Sequence, residues 1–128
     1  MKALLDTHAL LWMVSSSERL SETARSTIAD EANELYCSIA GYWEIGIKQS
    51  LGKLELAAGW EETLPREMTR NRIARLPVEP KHVHELVGLP WIHRDPFDRL
   101  MIAQALVEGL SVISRDRDLG AYGVPVVW

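Results

Sequence analysis

Short apolar runs alternate along this chain with longer stretches in which apolar residues recur every three or four positions, and the alternation continues from one end to the other. The short runs predict strands at Lys2–Leu5, Glu34–Cys37, Ile73–Leu76, Ser111–Ile113 and Val126–Val127. The longer stretches predict helices over 21–30, 39–51, 60–70, 81–86 and 97–108. Strands and helices taking turns in this way specify an α/β protein with a parallel sheet covered by helices. Two helices carry enough punctuation to place their side chains. The first has Ser38 as its N-cap and Gly52 just past its end, and Ile39, Trp43, Ile47 and Leu51 form the expected buried stripe, with Glu44 beside it. The second opens on Asp95-Pro96, an acidic cap with proline at the first helical position, and closes at Gly109. Its wheel sets Asp98 within an apolar arc of Met101, Ile102 and Ala105.

With 128 residues the chain can bury one core, so residues 1–128 are expected to form a single domain; no repeat, linker or low-complexity tract divides it. Hydrophobic residues at 47% and charged residues at 25% exclude a disordered or fibrous class. Asp6 and His8 interrupt the N-terminal apolar run before a signal-peptide core or membrane span could form, which predicts a cytoplasmic protein with no membrane association. The lone cysteine, Cys37, excludes an internal disulfide and any multi-cysteine zinc site, and reads as a small buried hydrophobe. Lys plus Arg is 14 against 18 for Asp plus Glu, giving a net charge of −4 where nucleic-acid binders usually lean positive. Either nucleic acid is not the partner, or acids are clustered for a purpose.

Four acids favour the second possibility. In open parallel sheets, ligand sites lie beyond the carboxyl ends of the strands, where neighbouring strands send their connections to opposite faces. Asp6 directly follows the first strand, and Asp116 follows the fourth after Ser114 and Arg115; adjacent strands would bring them together. Asp98 begins the helix feeding the fourth strand, and Glu44 lies in the helix after the second. Each has a plainer explanation on its own. Asp6 could cap a turn over Thr7 to Trp12, and Glu44 could be the partner of Lys48 in an i, i+4 surface pair worth about 0.3–0.5 kcal/mol. Asp98 could close a capping box with Asp95, and Asp116 could belong to a polar turn. Taken together these explanations weaken, because four carboxylates driven into one partly apolar cleft repel one another and lose hydration, which a divalent cation relieves. An all-oxygen set suits Mg2+ or Mn2+ rather than zinc.

The segments that carry these acids also resemble a known family. Leu4-Leu5-Asp6-Thr7-His8-Ala9-Leu10-Leu11-Trp12, Trp43-Glu44-Ile45-Gly46-Ile47-Lys48 running on to Leu51-Gly52-Lys53-Leu54, and His93-Arg94-Asp95-Pro96-Phe97-Asp98-Arg99 with Ile102-Ala103-Gln104-Ala105 are similar to the PIN-domain family. Within it the likeness is to the VapC-type toxins of toxin–antitoxin pairs. Ser114-Arg115-Asp116 through Tyr122 to Trp128 continues the likeness over nearly the whole chain. The resemblance implies a three-layer α/β/α fold and a metal-dependent endoribonuclease that leaves 5′-phosphate and 3′-hydroxyl ends. It also implies RNA as substrate and a cognate antitoxin as partner, and a homodimer is expected beside them. It places Asp6, Glu44, Asp98 and Asp116 at the Mg2+ or Mn2+ site, with Thr7 and Ser114 as hydroxyl neighbours and Asp118 as an assistant or substitute for Asp116.

Lys48, Arg94, Arg99, Arg115 and Arg117 flank the acids and could hold substrate phosphates, or could be solvated surface charges. His8 and His93 read as packing or hydrogen-bonding residues outside the site. The tryptophans read as core and interface; exposure of Trp12, Trp60 or Trp91 would suit a dimer or a bound antitoxin segment. A receiver-type phosphoacceptor would show paired acids after the first strand and a lysine after the last, and a phosphatase with a nucleophilic Asp would carry a second acid at the position of His8. An RNA-processing PIN nuclease without antitoxin, or an inactive PIN-like binding module, remain as alternatives.

Overall fold

The computed structural model describes residues 1–128. In chain order the elements are β1 (Lys2–Leu5), α1 (Thr7–Val14), α2 (Glu22–Ala29), β2 (Glu34–Ser38), α3 (Ile39–Ser50), α4 (Trp60–Arg70), β3 (Ile73–Leu76), α5 (Pro80–Val87), α6 (Pro96–Glu108), β4 (Ser111–Ile113), a 3-10 turn (Arg117–Tyr122) and β5 (Val126–Val127). All five strands stand where the short apolar runs predicted them. One element exceeds its prediction: the segment after Asp6 is a full helix, α1, rather than a turn. Asp6 caps it by accepting the Ala9 N–H at 2.7 Å. The even apolar content of Thr7–Val14 hides a helical period, because that helix packs on the sheet with one side and on neighbouring helices with another.

The strands pair in parallel in the order β3-β2-β1-β4-β5. Alternation along β1 sends Ala3 and Leu5 to one face and Leu4 to the other. On the first face they meet Ala9 and Leu10 of α1, Ile28 of α2, Ile45 of α3 and Leu64 and Met68 of α4. On the second, Leu4 and Val112 meet Met101, Ile102 and Ala105 of α6 and Leu119 and Tyr122 of the 3-10 turn. Helices therefore cover both faces of the sheet in an α/β/α sandwich, as right-handed crossovers require when the chain runs from β1 toward β3 and then back across to β4.

The buried face of α3 differs from the expected stripe. Ile39, Trp43 and Leu51 are exposed, Trp43 to 63%, while Ala40, Glu44 and Ile45 face inward. Apolar residues stand almost all round this helix, so period alone does not choose a face; close approach does. Cβ built on Gly41 would lie 3.2 Å from the Thr7 hydroxyl, so the small residues Ala40 and Gly41 let α3 lie against the start of α1. Trp43 instead packs edge-on against Phe97 of α6, ring centres 5.5 Å apart. A buried polar link ties the second and third layers: Ser38 donates to Gln104, which donates in turn to the Pro77 carbonyl. Cys37 is buried as expected, and burial pushes its thiol up to about 12, which leaves it unreactive. No helix is long and apolar enough to cross a membrane.

Candidate active site

Neighbouring strands β1 and β4 send the chain to opposite faces of the sheet, into α1 on one side and into the 3-10 turn on the other. Their shared carboxyl end is thus the switch point where α/β sheets open a crevice. The ladder runs one step past the strands: the Asp6 N–H donates to the Ile113 carbonyl at 3.1 Å, and the Ser114 N–H donates to the Val127 carbonyl at 3.2 Å. Asp6 and Ser114 therefore stand side by side at the floor of a cleft of about 520 Å³, with Thr7, Glu44, Lys48, Asp95, Asp98 and Asp116 around it. His8, Trp12, Met101, Arg115 and Leu119 complete the wall.

Each acid is held differently. Ala9 N–H fixes Asp6 Oδ1, and burial raises the Asp6 carboxyl above its usual range; the Ser114 hydroxyl, Ala9 N–H and His8 act against that rise, and Glu44 adds to it. Glu44, buried on α3, accepts the Thr7 hydroxyl at Oε1 (2.7 Å) and Lys48 Nζ at Oε2 (2.6 Å). That carboxylate, through its hydrogen bond, raises the Lys48 ammonium above the usual lysine range, against the effect of burial. Asp95 caps α6 through the N–H groups of Phe97 and Asp98. Asp98, one turn in, is pushed up to about 6 by burial first and then by Asp95 and Glu44, with His93 acting the other way and Asp6 adding a little. No hydrogen-bond donor offsets that rise. Asp116 accepts the Asp118 N–H at Oδ1 and faces His93 Nε2 at Oδ2.

Asp6, Glu44, Asp98 and Asp116 accordingly line one cleft together with Thr7 and Ser114. Asp118 is exposed, stands outside the lining and serves Asp116 through its backbone. Of the basic residues, Lys48 and Arg115 line the cleft, whereas Arg94 and Arg117 are exposed beyond it. Arg99 does not fit the expectation of a phosphate contact. It is buried, and its guanidinium donates to the Pro90 carbonyl at 2.8 Å and to those of Leu89 and Leu86 at 3.3 and 3.4 Å, with Trp91 laid over it at 3.9 Å. A planar fork suits that carbonyl cage, and both terminal nitrogens of the guanidinium are engaged there. Sequence reading left out His93, which touches Asp116; only its place two residues before the Asp95 cap, in the loop that Arg99 folds, hinted at this.

A second cluster lies at the opposite end of α6, where Glu79, His82 and Glu108 come within ligating distance of one another. The Glu79 N–H donates to His82 Nδ1 at 2.9 Å, so Nε2 carries the ring hydrogen and donates to Glu108 at 2.9 Å. With both ring nitrogens occupied, this is a helix-capping and packing device.

Comparison with known proteins places this geometry. Residues 3–125 match the PIN domain family model. Ribonuclease VapC22 of Mycobacterium tuberculosis is 27% identical over 132 residues, covering 98% of this chain and 97% of that protein. Among solved structures, VapBC2 from Rickettsia felis bound to a promoter DNA fragment superposes with a TM-score of 0.74 at 12% identity, over 98% of this chain and 97% of its own. A toxin–antitoxin complex from Klebsiella pneumoniae gives 0.60 at 21% identity, over 98% and 96%. Every side chain of the acidic cleft falls inside the span matched by the family model, and the sheet order and both helical layers agree with the structural likeness: this chain belongs to the PIN-domain family.

Proposed function

We infer that the chain is a metal-dependent endoribonuclease acting as the toxin of a toxin–antitoxin pair. The observation that carries this reading is the gathering of Asp6, Glu44, Asp98 and Asp116 in one cleft at the β1/β4 switch point. Those acids fit a divalent cation. Their donors are all oxygen, burial and mutual repulsion raise two of them, and Asp98 has no protein donor to offset its charge. Mg2+ or Mn2+ is the matching hard cation. When bound, it lowers the pKa of water and stabilises charge building on phosphate oxygens.

The remaining steps belong to the side chains. Ala9 N–H orients Asp6, while Thr7 and Lys48 orient Glu44. A carboxylate of the set takes the proton of the attacking water as the phosphorus–oxygen bond to the 3′ oxygen breaks, leaving a 5′-phosphate, and the departing 3′ oxygen takes a proton from solvent to become a hydroxyl. Lys48 and Arg115 meet substrate phosphates from the cleft wall, which reconciles RNA binding with a net charge of −4. Asp98 and Asp6 ligate only when ionised, so cation loading weakens as the pH falls through about 6.

The antitoxin reading draws on the relatives' descriptions and on an apolar groove of about 490 Å³ that adjoins the cleft through His8 and Trp12 and continues over Leu11, Leu56, Trp60 and Leu64. A homodimer is supported by the exposed Ile39, Trp43 and Leu51 on α3. The decisive experiment is RNA cleavage by Asp6→Asn and Asp116→Asn proteins, which lose activity while their far-ultraviolet circular dichroism stays unchanged. Full activity in Asp6→Asn removes the reading. A co-purified antitoxin that reaches the acids must lower the apparent metal affinity, and metal must weaken it reciprocally.

A further inference from the structure

The loop leading into α6 puts His93 behind the acidic cleft, not in its lining. Its ring makes two polar contacts and its backbone a third. Nε2 lies 2.7 Å from Asp116 Oδ2, Nδ1 lies 3.0 Å from the Tyr122 hydroxyl, and the His93 backbone N–H donates to that same hydroxyl oxygen at 2.7 Å. With a neutral ring and an ionised Asp116, one arrangement satisfies all three. A carboxylate only accepts, so Nε2 carries the hydrogen and Nδ1 is left as an acceptor. The Tyr122 hydroxyl already accepts from the backbone, so it turns its own hydrogen to Nδ1. A directed chain results, running from Tyr122 through His93 to Asp116, and it is anchored because the Tyr122 ring is buried in the core under α6.

Asp116 is the acid that needs such a hold. Its side chain is 42% exposed where that of Glu44 is 7%, and it sits in the loop between β4 and the 3-10 turn. Its own N–H donates to Ser114 Oγ and its Oδ1 accepts the Asp118 N–H, but these bonds shape the local turn. His93 is the group that pins the carboxylate from a different segment, 23 residues away in sequence.

We propose that His93, backed by Tyr122, is a positioning residue that fixes the Asp116 carboxylate in the orientation in which it ligates the cation; the proposal rests on the cleft being a cation site. His93 touches neither substrate nor cation. Groups that orient metal ligands in this way typically contribute about 10- to 100-fold to metal affinity.

The test is calorimetric titration of Mn2+ into the full chain and into His93→Ala, His93→Gln and Tyr122→Phe proteins, with thermal melts as the check of folding. Wild type is expected to bind, and His93→Ala to bind about 10- to 100-fold more weakly with unchanged stoichiometry. His93→Gln, whose amide keeps a donor, recovers part of the loss, and RNA cleavage returns in His93→Ala at saturating Mn2+. In an Asp116→Asn background, His93→Ala causes no further weakening, an outcome that a purely structural role would not produce. Tyr122→Phe keeps the buried ring and deletes only the hydroxyl, so a several-fold loss of affinity there supports the chain even where His93→Ala unfolds. Wild-type Mn2+ affinity in folded His93→Ala or in Tyr122→Phe overturns the positioning role and leaves the cation site standing. A wild-type chain that binds no Mn2+ overturns the cation site and the positioning role with it.

Discussion

Replacing Asp98 by Asn should stabilise the cation-free protein at neutral pH while depriving it of its response to metal. Burial and the neighbouring Asp95 and Glu44 raise the Asp98 carboxyl from 3.8 to about 6. The folded chain thus holds this proton more tightly than the unfolded chain does. Its stabilising contribution is complete below about pH 4 and is lost as the pH rises through about 6. The interval between the two values corresponds to at most about 3 kcal/mol. Solvent screening at a partly exposed carboxyl reduces this to about 1–2 kcal/mol. The positive end of the α6 macrodipole favours the carboxylate by roughly 0.3–1 kcal/mol, so the net advantage of Asn is about 1 kcal/mol. For a chain of this length that raises the melting temperature by about 3–6 °C. Calorimetric melts in chelator near pH 7.5 should show this gain, and the gain should shrink as the pH falls through about 6 and vanish below about pH 4, where Asp98 is neutral in the folded and unfolded chain alike. Millimolar Mn2+ at the higher pH should reverse the order, because a cation that binds only the folded form raises the wild type. An Asp98→Asn protein that melts lower by the same margin above about pH 7 and below about pH 4 would show that the carboxylate is a structural acceptor and that burial and repulsion among the acids do not disfavour its charge.

Three further outcomes follow from other contacts. Arg99→Ala leaves the carbonyls of Leu89 and Pro90 without donors, and that of Leu86 with the Leu89 N–H alone, and should cost about 3–5 kcal/mol in urea unfolding, with cleavage falling further than stability because the same loop carries His93. Gly41→Ala gains up to about 1 kcal/mol of helix propensity, yet its Cβ presses on the Thr7 hydroxyl that orients Glu44. Melts should show the protein at least as stable, while a fluorogenic RNA assay shows about a 3- to 10-fold lower rate. Lys48→Met removes the ammonium 2.6 Å from buried Glu44 and should destabilise the cation-free chain by about 1–2 kcal/mol, a loss that shrinks when urea titrations are repeated in Mn2+.

Much of the architecture was legible in the order of residues, because two of its signals are local. Short apolar runs bounded by polar residues mark strands wherever they occur, and Ser38, Asp95-Pro96 and Gly109 mark helix ends through bonds made within one turn. The acids were legible as a set because Asp6 and Asp116 follow strand ends, Asp98 opens a helix and Glu44 lies in the helix that leaves β2, and in a parallel sheet those positions share one edge. The tertiary structure decided what depends on distance. Period could not choose the inward face of α3, since apolar residues surround that helix; the close fit of Gly41 against Thr7 turned Glu44 in and left Trp43 outside. Arg99 looked like a surface cation from its neighbours, and only the fold of the loop over 86–93 supplies the carbonyls that bury it. His93 and Asp116 stand 23 residues apart with no pattern linking them, and they meet because β4 delivers Asp116 beside the loop that Arg99 holds. Local chemistry therefore determined the elements and the list of acids, while the partner of each charge was settled only by the packing of one element on another.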